Sequence, residues 1–181
     1  MVNYVKTRNT AWPTNISCSI KDAIETFFQL LDGFSPEAAQ EWSQLYHPKG
    51  KFEAFGQVFE GHAAIQQHIL RFWTSFPGLN HIPQKIYTHG ENGLDLIIIT
   101  TYEITFSNGN HVSGESVAMM TFVNDNSKLL VNLNKLIIDP NPLMSGLAAA
   151  SAEKVSASVQ DESSKSLVTH TESVTNANDR V

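Results

Sequence analysis

The chain contains very little cysteine and no long apolar run. Cys18 is its only cysteine in 181 residues, which excludes an internal disulfide framework and fits a reducing compartment. The most apolar stretch, residues 94–101, is far too short to span a bilayer. The first residues include no apolar segment that resembles the core of a signal peptide. These absences predict a soluble, cytoplasmic protein that does not enter a membrane.

Positive charge is also scarce. The 12 Lys and Arg residues are outnumbered by 18 Asp and Glu, which gives a formal net charge of −6. No basic stripe is present that could follow a phosphate backbone, so a nucleic-acid partner is not expected. Glycine-rich phosphate loops, a G-x-S-x-G elbow and metal-ligand spacing of histidines are missing as well. The sequence therefore predicts no metal and no cofactor.

Two changes in composition divide the chain. Residues 1–17 are polar and carry no periodic apolar pattern, and we expect them to form a flexible arm. Residues 145–181 contain no aromatic side chain and are dominated by Ser, Ala, Thr and Val. Such a segment buries too little apolar surface to offset the entropy of ordering it. The prediction is one domain over residues 18–144, followed by a disordered tail over residues 145–181.

The first half of this domain shows helical periodicity. Ser19 is expected to cap a first helix, because apolar residues then recur at spacings of three and four. Ser35 precedes a proline and marks the start of a second helix, which would carry Trp42 and Tyr46 on one face. A third helix is predicted over residues 62–73.

The second half reads as strands joined by Gly- and Asn-rich turns. Strands are predicted over residues 82–88, 94–106, 111–123 and 129–138. Helices followed by a meander indicate an α+β fold, with three N-terminal helices packed on a bent antiparallel sheet. Because the apolar runs suggest that both sheet faces are covered, we expect the outer face to pack against a second subunit in a homodimer.

Four segments of the chain, taken in order, resemble a known superfamily. Residues 45–52, 59–65, 76–79 and 136–143 resemble passages of nuclear-transport-factor-2-like proteins, and in particular of the SnoaL-like branch. The last of these segments is similar to the final strand of fungal SnoaL-like proteins. The resemblance implies a cone-shaped domain with a mostly apolar pocket between helices and sheet, which would bind an apolar small molecule.

The carboxylates of related enzymes are missing at the matching positions. When the chain is aligned by eye with ketosteroid isomerase, that enzyme's aspartate base falls on Ala54 and its oxyanion aspartate near Ala118. Its tyrosine falls on Phe27 or Phe28. SnoaL-type cyclases use an acid on the last strand, but residues 129–138 contain no Asp or Glu. Any proton transfer is therefore expected to use His, Tyr or Asn.

Two residues are the catalytic candidates. His81 falls at about the place where the related scytalone dehydratase keeps a histidine, and a neutral imidazole suits general acid–base chemistry. A histidine that merely hydrogen-bonds backbone at a strand edge is the structural alternative. Tyr46 carries a hydroxyl that needs a partner if it is buried, although core packing alone also explains this residue.

Six further residues are the substrate-binding candidates. Asn132 and Asn134 are expected to share one strand face, because strand side chains alternate with a period of two. On the inner face they would hold a carbonyl or hydroxyl group of a ligand, and on the outer face they would be ordinary solvated asparagines. His68 is expected to flank the buried face of the third helix. The complete set is Trp42, Phe55, His68, Met120, Asn132 and Asn134.

Two functions remain open at this point. The first is a cofactor-free cyclase, dehydratase or isomerase acting on a polyketide- or terpenoid-like intermediate of secondary metabolism. The second is a non-catalytic ligand-binding or adapter protein, because residues 55–61 also resemble nuclear transport factor 2 itself. A cavity of roughly several hundred Å³ on which His81 and Tyr46 converge would favour the enzyme. A cavity filled by phenylalanine and methionine side chains would favour the adapter.

Overall fold

The computed structural model describes residues 4–90, 92–106 and 108–152. Its α+β class confirms the prediction. No helix in this part of the chain has the length and apolar character needed to cross a membrane. The elements are α1 (Cys18–Leu31), α2 (Pro36–Gln44), β1 (Tyr46–Ala54), β2 (Gln57–Glu60), α3 (His62–Ser75), β3 (Asn80–His89), β4 (Asp95–Thr105), β5 (His111–Asp125), β6 (Lys128–Ile138) and α4, which covers residues 141–152.

The six strands form one sheet in the order β2-β1-β6-β5-β4-β3. Strands β3 to β6 are the antiparallel meander that the sequence predicted. Strand β1 pairs antiparallel with β2 but parallel with β6, so the sheet is mixed and not purely antiparallel. Turn chemistry reveals hairpins between consecutive strands. No turn joins β1 to β6, and the sequence therefore gave no signal for their relative direction.

The inner face of the sheet packs against α1, α2 and α3 and forms the main core. Ser17, not Ser19, caps α1, because its Oγ accepts from the backbone N–H of Ile20 at 3.3 Å. Ser35 caps α2 as predicted, at 3.1 Å from the N–H of Ala38. Helix α2 ends at Gln44, and Tyr46 opens β1 instead of continuing the helix.

The N-terminal arm is docked, which corrects the prediction of a flexible segment for its described residues. The backbone N–H of Ala11 donates to the carbonyl of Gln84 at 2.9 Å, and its carbonyl accepts from Ile86 at 3.0 Å. The arm thus covers the free edge of β3, the last strand of the sheet. Backbone pairing of this kind needs no apolar periodicity, and composition alone did not reveal it. Residues 1–3 lie outside the described part of the chain.

The predicted boundary of the tail is also wrong, because α4 extends to residue 152. Leu143 and Ala150 are buried in a second apolar cluster. Its other buried members are Phe76, Leu79, Tyr102, Ile104 and Phe106. Small residues let α4 approach these rings closely, so a segment without aromatics still buries its inner face. Residues 153–181, the rest of the predicted tail, lie outside the described residues.

Gly146 provides a test of this docking. A Cβ atom at position 146 would lie 2.3 Å from Cε2 of the buried Phe106 ring. Replacing glycine by alanine inside a helix ordinarily stabilises a protein by about 0.5–1 kcal/mol. We expect Gly146→Ala to do the opposite and lower the free energy of unfolding by about 1–3 kcal/mol, because the docked helix would be overpacked. Urea unfolding measures the difference.

Ser145→Ala, at the neighbouring exposed helical position, is the matched control and should change stability by less than about 0.5 kcal/mol. If Gly146→Ala stabilised the protein, α4 would not be packed on Phe106 as described.

Candidate functional site

A cavity of about 60 Å³ lies between the helices and the inner face of the sheet. Its wall is mostly apolar and aromatic, and five polar side chains reach it: His68, His81, Thr100, Ser116 and Asn134. The space would hold about four to six waters or one small ring. It is smaller than expected because aromatic side chains from α1, α2, β1 and α3 crowd the wall. Neither Met119, which is 44% exposed, nor Met120, which is buried, lines the cavity.

His81, the first catalytic candidate, is held by a carboxylate. It lies at the start of β3, and its Nδ1 is 2.6 Å from Oδ1 of Asp32. The backbone N–H of His81 also donates to Oδ2 of Asp32, at 2.9 Å. Asp32 directly follows α1 as its C-cap. No group in the described part of the chain hydrogen-bonds Nε2 of His81, which leaves this nitrogen for the cavity.

The ionisation state of Asp32 fixes which ring nitrogen of His81 carries the proton. Burial acts to raise the pKa of Asp32, but the hydrogen bond and charge of His81, together with a hydrogen bond from Lys6, outweigh it. The pKa of Asp32 is therefore below its ordinary value of 3.8. An ionised carboxylate only accepts hydrogen bonds. When the imidazole of His81 is neutral, Nδ1 is then the protonated nitrogen, and Nε2 presents a lone pair.

Tyr46, the second catalytic candidate, is completely buried and is not one of the residues that line the cavity. Its hydroxyl accepts a hydrogen bond from Nδ2 of Asn134 at 3.1 Å. Burial raises the pKa of Tyr46, and the bond from Asn134 offsets this only in part. The phenol therefore stays protonated near neutral pH. Its hydroxyl is linked to the cavity wall through Asn134.

Three buried polar atoms of the wall have no hydrogen-bond partner in the described part of the chain. They are Nε1 of Trp42, Oγ1 of Thr100 and Oδ1 of Asn134. A buried polar atom without a partner costs about 1–3 kcal/mol. All three belong to cavity-lining residues. Two of them are donors and one is an acceptor.

His68 and Phe55 lie at the aromatic side of the cavity. The His68 ring stacks on Phe59 with centroids 4.0 Å apart. Burial, and then the charge of Arg71, lower the pKa of His68 to about 4, so this imidazole is neutral near pH 7. Phe55 lines the cavity and is also 43% exposed. It therefore marks the opening of the cavity to solvent.

Two of the substrate-binding candidates lie elsewhere. Asn132 is exposed, while Asn134 is buried. The predicted alternation fails because β6 contains a bulge: Thr121 pairs with Leu133, but its neighbour Phe122 pairs with Val131. Met120 is 1% exposed and belongs to the core without lining the cavity.

The sequence analysis missed three residues of the site: Asp32, Thr100 and Ser116. Asp32 hydrogen-bonds His81 from the end of α1, whereas the carboxylates of the related enzymes were sought mainly at strand positions. Thr100 and Ser116 pair across β4 and β5. A polar residue at an inward position of an apolar strand was the signal that could have revealed them. In the described residues, no three His, Cys, Asp or Glu side chains group as a metal site.

The model of the SnoaL-like domain family matches residues 24–129, which is more than half of the chain. The protein belongs to the SnoaL-like domain family. The match includes three of the four segments that carry the resemblance, residues 45–52, 59–65 and 76–79. A search of curated proteins finds no match to the chain.

Solved structures of the same fold agree with this SnoaL-like assignment. TerC, co-crystallised with polyporic acid, is 18% identical with a TM-score of 0.59, covering 73% of this chain and 99% of TerC. ActVI-ORFA from Streptomyces coelicolor is 14% identical with a TM-score of 0.59; the alignment covers 70% of this chain and 97% of ActVI-ORFA. A hypothetical protein with a ketosteroid isomerase-like fold from Catenulispora acidiphila, in complex with trimethylamine, is 12% identical with a TM-score of 0.57; the alignment covers 70% of this chain and 92% of that protein. At these identities the likeness shows the fold alone.

Asp32 should make stability depend on pH. Because its native pKa is lower than its unfolded value of 3.8, its contribution is fully present above that pH and is lost as the pH falls through the native pKa. We expect Asp32→Asn to lower the free energy of unfolding by about 1–3 kcal/mol at pH 7. The free energies of unfolding of Asp32→Asn and of the wild type should become equal below pH 3.8. Urea unfolding between pH 7 and pH 2.5 or so measures it.

Glu41→Gln, which removes an exposed carboxylate of α2, is the control. A wild-type advantage over Asp32→Asn that persisted unchanged into strong acid would contradict an ionised, paired Asp32.

Proposed function

We propose that the protein is a cofactor-free lyase or isomerase in which His81 moves a proton on a small oxygenated molecule bound in the cavity. The observation that carries this proposal is the hydrogen bond between Asp32 and Nδ1 of His81, beside an otherwise apolar cavity. A carboxylate behind an imidazole fixes its tautomer and stabilises the imidazolium that forms. The pair is therefore suited to general acid–base catalysis.

The proton transfer needs one base and one group of hydrogen-bond donors that stabilises the negative charge that develops on the substrate. Nε2 of His81 removes a proton from a carbon next to a substrate carbonyl, and the electron pair moves onto the carbonyl oxygen. The free donors, Trp42 Nε1–H and Thr100 Oγ1–H, are the groups that stabilise this oxyanion. In a dehydration, the imidazolium then returns the proton to a β-hydroxyl group, which leaves as water while the double bond forms.

The wall of the cavity indicates the class of substrate. A cavity of about 60 Å³ holds one ring, and the rest of a larger ligand would pass Phe55 into solvent. Apolar walls with two donors and one acceptor suit a polyketide- or terpenoid-like ketone. The polyporic acid bound to TerC supports a small-molecule ligand on this fold. Secondary metabolism and a cytoplasmic location remain predictions from the sequence.

Exchange of ketone α-protons tests the base without knowledge of the natural substrate. We expect the wild type to accelerate hydrogen–deuterium exchange at the α-carbons of cyclohexanone in D2O, followed by proton NMR. His81→Ala should reduce the rate by about 100-fold or more, because the general base is removed. Cyclohexanone binding should change little.

His89→Ala, at the exposed end of the same strand, is the matched control and should exchange like the wild type. If the wild type bound cyclohexanone without accelerating exchange, the non-catalytic ligand-binding alternative would replace the enzyme.

We further propose that the outer face of the sheet forms a homodimer. Tyr87, Ile97 and Met119 are paired across three neighbouring strands and are all more than a third exposed. Ile137 on β6 extends the same face and is 51% exposed. An exposed apolar patch that spans several strands is typical of an association surface, and a two-fold axis would place the same patch on both subunits.

A charge at the centre of this patch should break the dimer. We expect Met119→Lys to shift the molar mass in solution, measured by analytical ultracentrifugation, from two chains to one, because two buried ammonium groups would face each other. Met144→Lys is the control, since Met144 is exposed on α4 and does not belong to a strand of the sheet. A wild type that sedimented as a single chain would contradict the proposal.

A further inference from the structure

Glu25 on α1 is a buried carboxylate that the proposed proton transfer does not use. It is 0% exposed. Its Oε1 accepts from the backbone N–H groups of Val5 and Lys6, at 2.8 and 2.9 Å, and Oε2 accepts from the N–H of Thr7 at 2.8 Å. The Thr7 hydroxyl adds a bond of 2.6 Å to Oε2. Three consecutive backbone donors thus close around one anion, and they fix residues 5–7 against α1.

We call Glu25 together with the backbone N–H groups of residues 5–7 the Glu25 clamp. This clamp fixes the position of Lys6. Its ammonium group donates to Oδ2 of Asp32 and, at 2.7 Å, to Oδ1 of Asn80. The side chains of Lys6 and Asp32 are only 19% and 7% exposed. Lys6 therefore contacts Asp32 on Oδ2, while Nδ1 of His81 contacts Oδ1. Oδ2 also accepts from the backbone N–H of His81, so Lys6 and His81 share this oxygen of the carboxylate.

We propose that Lys6 is a positioning residue for the Asp32–His81 pair, and that the Glu25 clamp holds Lys6 against Asp32. With Lys6 in place, Oδ2 is anchored and Oδ1 is directed at the imidazole. Without it, Oδ2 keeps only the bond from the backbone N–H of His81, and the buried carboxylate loses the cation that offsets its charge. The inference rests on the proposed function, because it concerns the same histidine.

The proton on Nδ1 of His81 reports directly on this arrangement. In a hydrogen bond to a buried carboxylate it exchanges slowly with water and gives a separate resonance at low field in the proton NMR spectrum. We expect Lys6→Met, which keeps most of the aliphatic stem, to increase its exchange rate about tenfold or more, because one charge-assisted bond to Asp32 is lost. Lys6→Arg should restore most of the protection. Lys49→Met, at an exposed lysine of β1, should have no effect.

The clamp is tested separately with Lys6 left intact. Glu25→Gln replaces one acceptor oxygen by an amide donor and should release residues 5–7, so that the exchange rate rises as in Lys6→Met. Thr7→Val removes only the hydroxyl bond and should give a smaller increase in the same direction. Folding of each variant is checked first by its backbone amide spectrum, and Thr7→Val keeps the clamp testable if Glu25→Gln does not fold.

Kinetics distinguish positioning from a purely structural role. In the cyclohexanone exchange assay, Lys6→Met should lower kcat about tenfold and leave KM unchanged. Unaltered protection of the Nδ1 proton and unaltered kcat in Lys6→Met would overturn this inference while leaving the proposed function standing. Absence of a protected Nδ1 proton in the wild type itself would instead overturn the proposed function.

Discussion

The buried carboxylate of Asp32 is the point on which the architecture of the site depends. Taking a carboxylate out of water costs several kcal/mol unless charged and hydrogen-bonding partners surround it. Here the partners come from the N-terminal segment through Lys6 and from β3 through His81. Three segments far apart in sequence must therefore meet at the end of α1. That end is held in addition by the indole of Trp73, whose Nε1–H donates to the carbonyl of Leu31 at 3.0 Å.

This constraint connects the fold to the chemistry. The apolar packing of α1, α2 and α3 on the sheet leaves a small space at the inner face. In an apolar space an imidazole is a useful base only if its tautomer is fixed, and Asp32 fixes it. The free polar atoms of Trp42, Thr100 and Asn134 then provide directional contacts in a wall that otherwise selects only for shape.

The parts of the fold that the sequence predicted are those governed by local periodicity. The second and third helices and the four-strand meander follow from spacings of 3.6 and 2 and from turn residues. Four of the candidate site residues, Trp42, His68, His81 and Asn134, line the cavity in the structure; His81 was selected through the family resemblance and not through periodicity. Resemblance to a superfamily identified the cone, which the family match confirms.

The parts that the sequence did not predict depend on contacts between distant segments. Asp32 looked like an ordinary helix end, because nothing in its neighbourhood signals His81, 49 positions away. The N-terminal arm is held by backbone bonds to Glu25 and β3, which leave no apolar pattern in the sequence. The predicted orientation of Asn132 is wrong because β6 contains one bulge. A bulge reverses the inward and outward alternation of the residues on one side of it.

The most direct test of the account is the tautomer of His81, read from the nitrogen-15 chemical shifts of its imidazole at neutral pH in wild type and in Asp32→Asn. The account predicts that the neutral wild-type ring is protonated on Nδ1 and bare on Nε2, and that Asp32→Asn loses this preference. A wild-type ring protonated on Nε2 would contradict it, because the nitrogen left for the cavity would then be a donor and could not act as the base.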